Sequence, residues 1–274
     1  MTFSPRTPRV VAARRLQRRR DRDRAGRFLA EGPQAVRSAL AAGVVRELFG
    51  TDAALARHAD LAAEAPLVSP VTEEAMAALA ETVHPQGLVA VCEQVDVPLA
   101  GALPKRLVAV AVDIRDPGNA GTVVRAADAA GAGGVVLTDA SVDVFNPKCV
   151  RASAGSLFHL PVATGVPLEG AVGALRDAGL VVLAADVAGT ADLDDLQDLA
   201  ARGEGPLVGP VAWVFGNEAW GLPDDTLAAA DTVVRVPVHG RAESLNLATA
   251  ATLCLYATAR AHRPGAKPAR ARTH

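Results

Sequence analysis

Val236-Pro237-Val238-His239-Gly240-Arg241-Ala242-Glu243-Ser244-Leu245-Asn246 is the stretch on which the fold turns. A strand-like run, Thr232–Val236, stops at a proline, and a glycine follows. Ser-Leu-Asn then opens an almost uncharged segment expected to be helical over Ser244–Arg260. A strand end leading into a helix start gathers free backbone N–H groups and small polar side chains in one place. In open α/β folds, ligands bind at such places. Two earlier stretches have the same character. Asp113-Ile114-Arg115-Asp116-Pro117-Gly118-Asn119-Ala120-Gly121 follows the apolar run Leu107–Ile114, and Val214-Phe215-Gly216-Asn217-Glu218-Ala219-Trp220-Gly221-Leu222-Pro223 ends the run Val211–Phe215.

Working outward, further apolar runs at Gly134–Thr138 and Leu180–Ala185 read as strands buried on both faces. Helical stretches are expected at Gly118–Ala130, Leu168–Ala178 and Pro223–Ala230. Strands alternating with helices predict a mostly parallel sheet covered on both faces over residues 107–261. Residues 1–95 read as a smaller α/β unit. Its Arg14–Arg20 segment looks helical, Arg27–Gly32 looks like a strand and turn, and Pro33 starts a helix running to about Ala42. Strands are expected at Val44–Phe49, Leu67-Val68 and Gly87–Val91, with Thr72 capping a helix between the last two. Residues 96–106, with two prolines and a glycine, read as a linker. Residues 262–274 read as a disordered basic tail.

The chain has 274 residues, half of them hydrophobic but only 3% aromatic, so the core must be built mainly from Ala, Val and Leu. Three scattered cysteines, Cys92, Cys149 and Cys254, form neither a disulfide framework nor a metal-ligand spacing. No metal site and no membrane span is expected, and the basic N-terminus has no apolar segment behind it. The net charge of −2 hides an asymmetry: residues 1–37 carry +8, residues 257–274 carry +5, and the remainder −15. Basic ends on an acidic body point to a polyanionic partner. Arg14, Arg15, Arg18, Arg19, Arg27 and Arg151 are the candidates for phosphate contact.

Within the three stretches, Pro117 and Gly118 make a tight turn. Arg125 lies six residues beyond Asn119, under two helical turns, and the two are expected to border the same cleft. Glu218 at the end of a buried strand must be paired or face a site. Trp220 reads either as a base-stacking ring or as packing.

Taken in order, the three stretches resemble the SpoU branch of the SPOUT RNA methyltransferases. The first motif spans Asp116 to Gly121 with Arg125, the second Phe215 to Leu222, the third Val236 to Asn246. Arg151 to Pro161 also looks like that family, while residues 10–95 are a looser match to its L30e-like RNA-recruiting domain. Ala219 and Val238 stand where the family usually has Gly and Met. The resemblance implies a C-terminal SPOUT domain with a deep trefoil knot, an exception to un-knotted chains, preceded by the L30e-like domain. It implies methyl transfer from S-adenosylmethionine to a ribose 2′-hydroxyl. Arg125, Asn119, Glu218, Ser244 and Asn246 would be catalytic. Gly216, Asn217, Val236, Val238, Leu245 and Asn246 would hold the cofactor. It further implies a cytoplasmic homodimer joined through the C-terminal knot. Structured RNA is the expected partner, ribosomal RNA ahead of transfer RNA. A transfer-RNA methyltransferase, and a non-catalytic RNA-binding or ribosome-assembly protein of the same fold, are the alternatives.

Overall fold

The computed structural model describes residues 2–103, 106–217 and 220–263. Along the chain these form α1 (Pro8–Arg15), α2 (Arg19–Ala25), β1 (Arg27–Glu31), α3 (Pro33–Ala41), β2 (Val45–Gly50), α4 (Asp52–Arg57), α5 (Ala59–Glu64), β3 (Val68–Pro70), α6 (Glu73–Leu79), β4 (Leu88–Glu93), β5 (Leu107–Ala111), α7 (Pro117–Ala129), β6 (Gly134–Thr138), α8 (Pro147–Ser153), β7 (Val162–Val166), α9 (Leu168–Asp177), β8 (Val181–Ala185), β9 (Ala191–Asp192), α10 (Leu193–Ala201), β10 (Val211–Phe215), α11 (Asp224–Ala229), β11 (Thr232–Arg235) and α12 (Leu247–Ala261). They fall into two compact units. One comprises Met1–Val95 with Asp143–His159, the other Asp96–Val142 with Leu160–His274. The segment Asp143–His159, which a linear division at residue 95 assigns to the second domain, groups with the first.

In the N-terminal unit the sheet order is β1-β4-β2-β3. β4 runs antiparallel to β1 and β2, and β3 runs parallel to β2. Thr72 caps α6 by accepting from the Ala75 N–H, as its position before two glutamates suggests. α8 packs on β1, and Phe28 meets the rings of Phe145 and Phe158. The arginine-rich helix divides into two. Arg22 is buried at 2% exposure and donates to the Leu16 and Gln17 carbonyls. Those carbonyls belong to the break between α1 and α2, where Arg18 adopts an extended backbone. The same guanidinium donates twice to the Asp143 carboxylate. One arginine of the basic segment is therefore a structural clamp, and the others remain outside.

In the C-terminal unit seven strands run in the order β7-β6-β5-β10-β8-β11-β9. Every pairing is parallel. β5, β6 and β10 are buried along their whole length, which is why their sequences read as unbroken apolar runs. β5 ends at Ala111, three residues before the apolar run does, because Asp113 takes a left-handed backbone with φ of 53°. The expected linker is partly packed. Leu99–Ala102 forms a 3₁₀ turn, and Ala102 is fully buried against β6. Residues from Pro264 onward, and so most of the expected basic tail, lie outside the described residues. α12 is held by Trp213, whose buried indole N–H donates to Thr258 Oγ1 at 2.8 Å.

Arg22→Ala leaves the Asp143 carboxylate and two carbonyls without their donor. Breaking a buried pair from one side costs about 3–5 kcal/mol. Urea denaturation followed by circular dichroism should show a loss of that size; a loss below about 1 kcal/mol, the range of an exposed pair, contradicts the clamp.

Candidate active site

The ends of β8, β10 and β11 meet the start of α12 around a cavity of about 400 Å³. The end of β8 contributes Ala185, Asp186 and Val187. The end of β10 and the turn after it contribute Phe215, Gly216, Asn217, Trp220 and Gly221, and the segment after β11 contributes Val236, Val238, Ser244 and Leu245. Leu247 and Ala250 close it from α12.

The turn after β10 doubles back on itself. Asn217 and Gly221 exchange backbone hydrogen bonds of 3.1 and 2.8 Å. A side chain at Gly216 would put its Cβ 2.4 Å from the Gly221 carbonyl oxygen, so only glycine fits. The buried Asn217 side chain donates to the Asp113 carbonyl at 2.8 Å. That bond fixes the left-handed residue ahead of the first motif. Asp116 then caps α7 by accepting from the Asn119 N–H at 2.9 Å.

The third motif docks onto the first. Asn246 Nδ2 donates to Asn119 Oδ1 at 3.2 Å. Asn246 Oδ1 meanwhile accepts from the Ala248 and Thr249 N–H groups and caps α12. The helix therefore begins at Leu247 rather than at Ser244, which is exposed and lines the cavity. Both Ser and Asn are good caps; Asn246 takes the position because its amide also reaches Asn119. α7 and α12 pack along each other, and Arg125 lies exposed on α7.

Of the residues assigned to the cofactor, Gly216, Asn217, Val236, Val238 and Leu245 line the cavity. Asn246 does not, and instead ties two motifs together. Among those assigned to chemistry, Asn119 and Asn246 are bonded, Ser244 is on the wall, and Glu218 lies outside the described residues. Arg14, Arg15, Arg18, Arg19 and Arg27 are exposed on the N-terminal unit. Arg151 differs from them, since its guanidinium lies 3.3 Å from Glu31 and 3.9 Å from Glu81. The sequence reading missed Ala185, Asp186 and Val187. The available signal was Asp186 itself, an acid placed directly after a buried strand.

The cavity sets a few polar groups against an aliphatic wall, which suits an organic cofactor with both polar and apolar parts, and its volume lies in the usual range for such ligands. Its walls are largely aliphatic, its narrow turn presents backbone, and Asp186 is its one acidic lining residue among those described. Asp186 Oδ1 accepts from the Ala188 N–H at 2.9 Å, which leaves Oδ2 beside Gly221. Among the described residues no three His, Cys, Asp or Glu side chains cluster as a metal site. No helix among the described residues is long and apolar enough to cross a membrane.

Residues 106–256 match the SpoU rRNA Methylase family. The chain belongs to that family. Residues 7–90 match the MRM3-like substrate binding domain. The chain is 35% identical over 255 residues to the 23S rRNA (guanosine(2553)-2′-O)-methyltransferase RlmP of Bacillus subtilis, covering 92% of this chain and 96% of that protein. Among solved structures it is similar to an AdoMet-bound rRNA methyltransferase from Sinorhizobium meliloti, with a TM-score of 0.81 and 33% identity, covering 95% of this chain and 97% of that one. It is also similar to the SpoU methyltransferase AviRb from Streptomyces viridochromogenes in complex with AdoMet. That TM-score is 0.78 at 32% identity, covering 93% of this chain and 98% of the other. Both of these structures hold AdoMet, S-adenosylmethionine, the cofactor that the cavity suits.

Gly216→Ala forces the turn after β10 apart at the cavity wall. Calorimetry should show S-adenosylmethionine affinity falling by about tenfold or more, the cost of ~1.4 kcal/mol of misfit. Unchanged affinity would remove this wall from the cofactor site.

Proposed function

We propose that this protein transfers a methyl group from S-adenosylmethionine to a ribose 2′-hydroxyl of 23S ribosomal RNA. The observation that carries the reading is the Asn246–Asn119 hydrogen bond. It joins the motif on the cavity wall to the helix bearing Arg125. RlmP, similar across both units, is named for 23S rRNA, which supports ribosomal over transfer RNA. The sequence retains Asn119, Arg125, Glu218, Ser244 and Asn246 together, which favours an enzyme over a non-catalytic member of the fold.

When bound, S-adenosylmethionine supplies an activated methyl group on a sulfonium leaving group. The chain's task is to hold the ribose in line and to ease loss of its proton. The O–C bond forms as the C–S bond breaks, and the hydroxyl proton passes to solvent. Arg125 is exposed on α7, and arginine is a poor base. Its role is to hold the neighbouring phosphate and stabilise charge developing on the oxygen. Asn119, Ser244 and Asn246 orient the ribose and Arg125, with Glu218 as a further positioning group. Positioning of this kind lowers the barrier by removing freedom the reactants would otherwise lose. Gly216, Asn217, Val236, Val238 and Leu245 hold the cofactor.

The exposed arginines of α1, α2 and β1 serve the same reading as phosphate contacts for the structured RNA. The trefoil knot is part of it too, supported by β10 lying between β5 and β8 although it follows both in the chain. So is a cytoplasmic homodimer. One face of α12 is buried, through Leu247, Ala251, Cys254 and Leu255, while Leu253 and Tyr256 are exposed at 45% and 50%. Two apolar side chains one turn apart on the outer face suit a second copy.

Arg125→Ala should leave S-adenosylmethionine affinity within about twofold and reduce methyl incorporation into rRNA about 100-fold or more, the usual cost of one charge-stabilising donor. Full activity in that variant would remove Arg125 from the mechanism. Leu253→Glu with Tyr256→Glu should convert the dimer to monomers in analytical ultracentrifugation; a variant that sediments as the parent does would place any interface elsewhere.

A further inference from the structure

Trp220, Val187 and Val238 are exposed at 77%, 76% and 38%, and all three line the cavity. They come from three different strand ends, yet they meet at one rim. The chain's other tryptophan, Trp213, is fully buried and hydrogen-bonded. An exposed indole beside two exposed valines is unusual for a soluble surface and marks a place where something binds. Three side chains fall far short of the roughly 800 Å² per partner that a stable protein interface needs. They do match the flat apolar face of a single nucleobase.

We propose that Trp220 is the platform on which an unpaired RNA base at the methylation site stacks, with Val187 and Val238 completing the apolar rim. This rests on the RNA methyl-transfer reading above. Sequence-specific RNA binding commonly splays bases out of a helix and stacks them on aromatic rings. Such a contact requires no particular base, so it locates the nucleotide without selecting it.

The test compares the full-length protein with Trp220→Ala and Trp220→Phe, using a 23S rRNA transcript as the probe. Loss of one stacking partner weakens binding about five- to a hundredfold. Trp220→Ala should raise KM for the transcript by about tenfold, Trp220→Phe by no more than about threefold, since a smaller ring still stacks. Calorimetric affinity for S-adenosylmethionine should fall by less than the KM for the transcript rises, because the ring is 77% exposed at the cavity edge. In the parent protein the transcript should shield the exposed Trp220 fluorescence from acrylamide, an effect absent in Trp220→Phe. Unchanged KM and no shielding overturn the proposal. So does weaker cofactor affinity at unchanged KM, which makes Trp220 a cofactor wall, or loss of the dimer, which makes the rim an interface. If the parent protein transfers no methyl group to the transcript, the methyl-transfer reading fails instead, and the shielding measurement still decides Trp220.

Discussion

One asparagine side chain holds the site together. Asn246 uses its carbonyl oxygen to cap α12 and its amide to reach Asn119 at the start of α7. A helix N-terminus leaves backbone donors that must find partners, so the cap fixes where α12 begins. Once that start is fixed, Leu245 and Ser244 are left in irregular backbone facing the cavity, and the length of α12 is committed to packing along α7. The bond to Asn119 then sets the register between the two helices. Arg125 lies exposed on α7, the helix that this bond ties to the third motif.

A second tie works from below. Asn217 reaches from the end of β10 to the Asp113 carbonyl at the end of β5, the neighbouring strand. Asp113 sits in a left-handed backbone that a non-glycine residue adopts only at a cost. Its side chain and N–H both engage Thr138 on β6, which offsets that cost. The strain lies where the chain leaves a straight strand to form the first motif, as is common where backbone geometry serves a site. Parallel strands deliver three loops to one end of the sheet, and two asparagines lock those loops together.

Much of this was legible in the sequence because the core strands are buried on both faces. Leu107–Ala111, Gly134–Thr138 and Val211–Phe215 need no alternation and show none. The edge strands were missed. Val162–Val166 carries Thr164 and Gly165 in its middle, and Ala191–Asp192 is too short to make a pattern. α10 announced itself through Asp192 as cap and two acids in its first turn, but these read equally well as a solvated loop. The start of α12 was placed three residues early because Ser244 and Asn246 have similar capping propensity. Only the distant Asn119 decides between them. Similarly, nothing local distinguishes Arg22 from its neighbours, or Arg151 from a phosphate ligand. Their partners Asp143, Glu31 and Glu81 lie far off in sequence.

The central claim is that these converging loops deliver a methyl group to a sugar oxygen of ribosomal RNA. Its most direct test is incubation of the protein with 23S rRNA and isotopically labelled S-adenosylmethionine, followed by digestion to nucleosides and mass spectrometry. The account predicts a single labelled species whose added mass resides on the ribose. Label on a base, or none in the RNA at all, would contradict it.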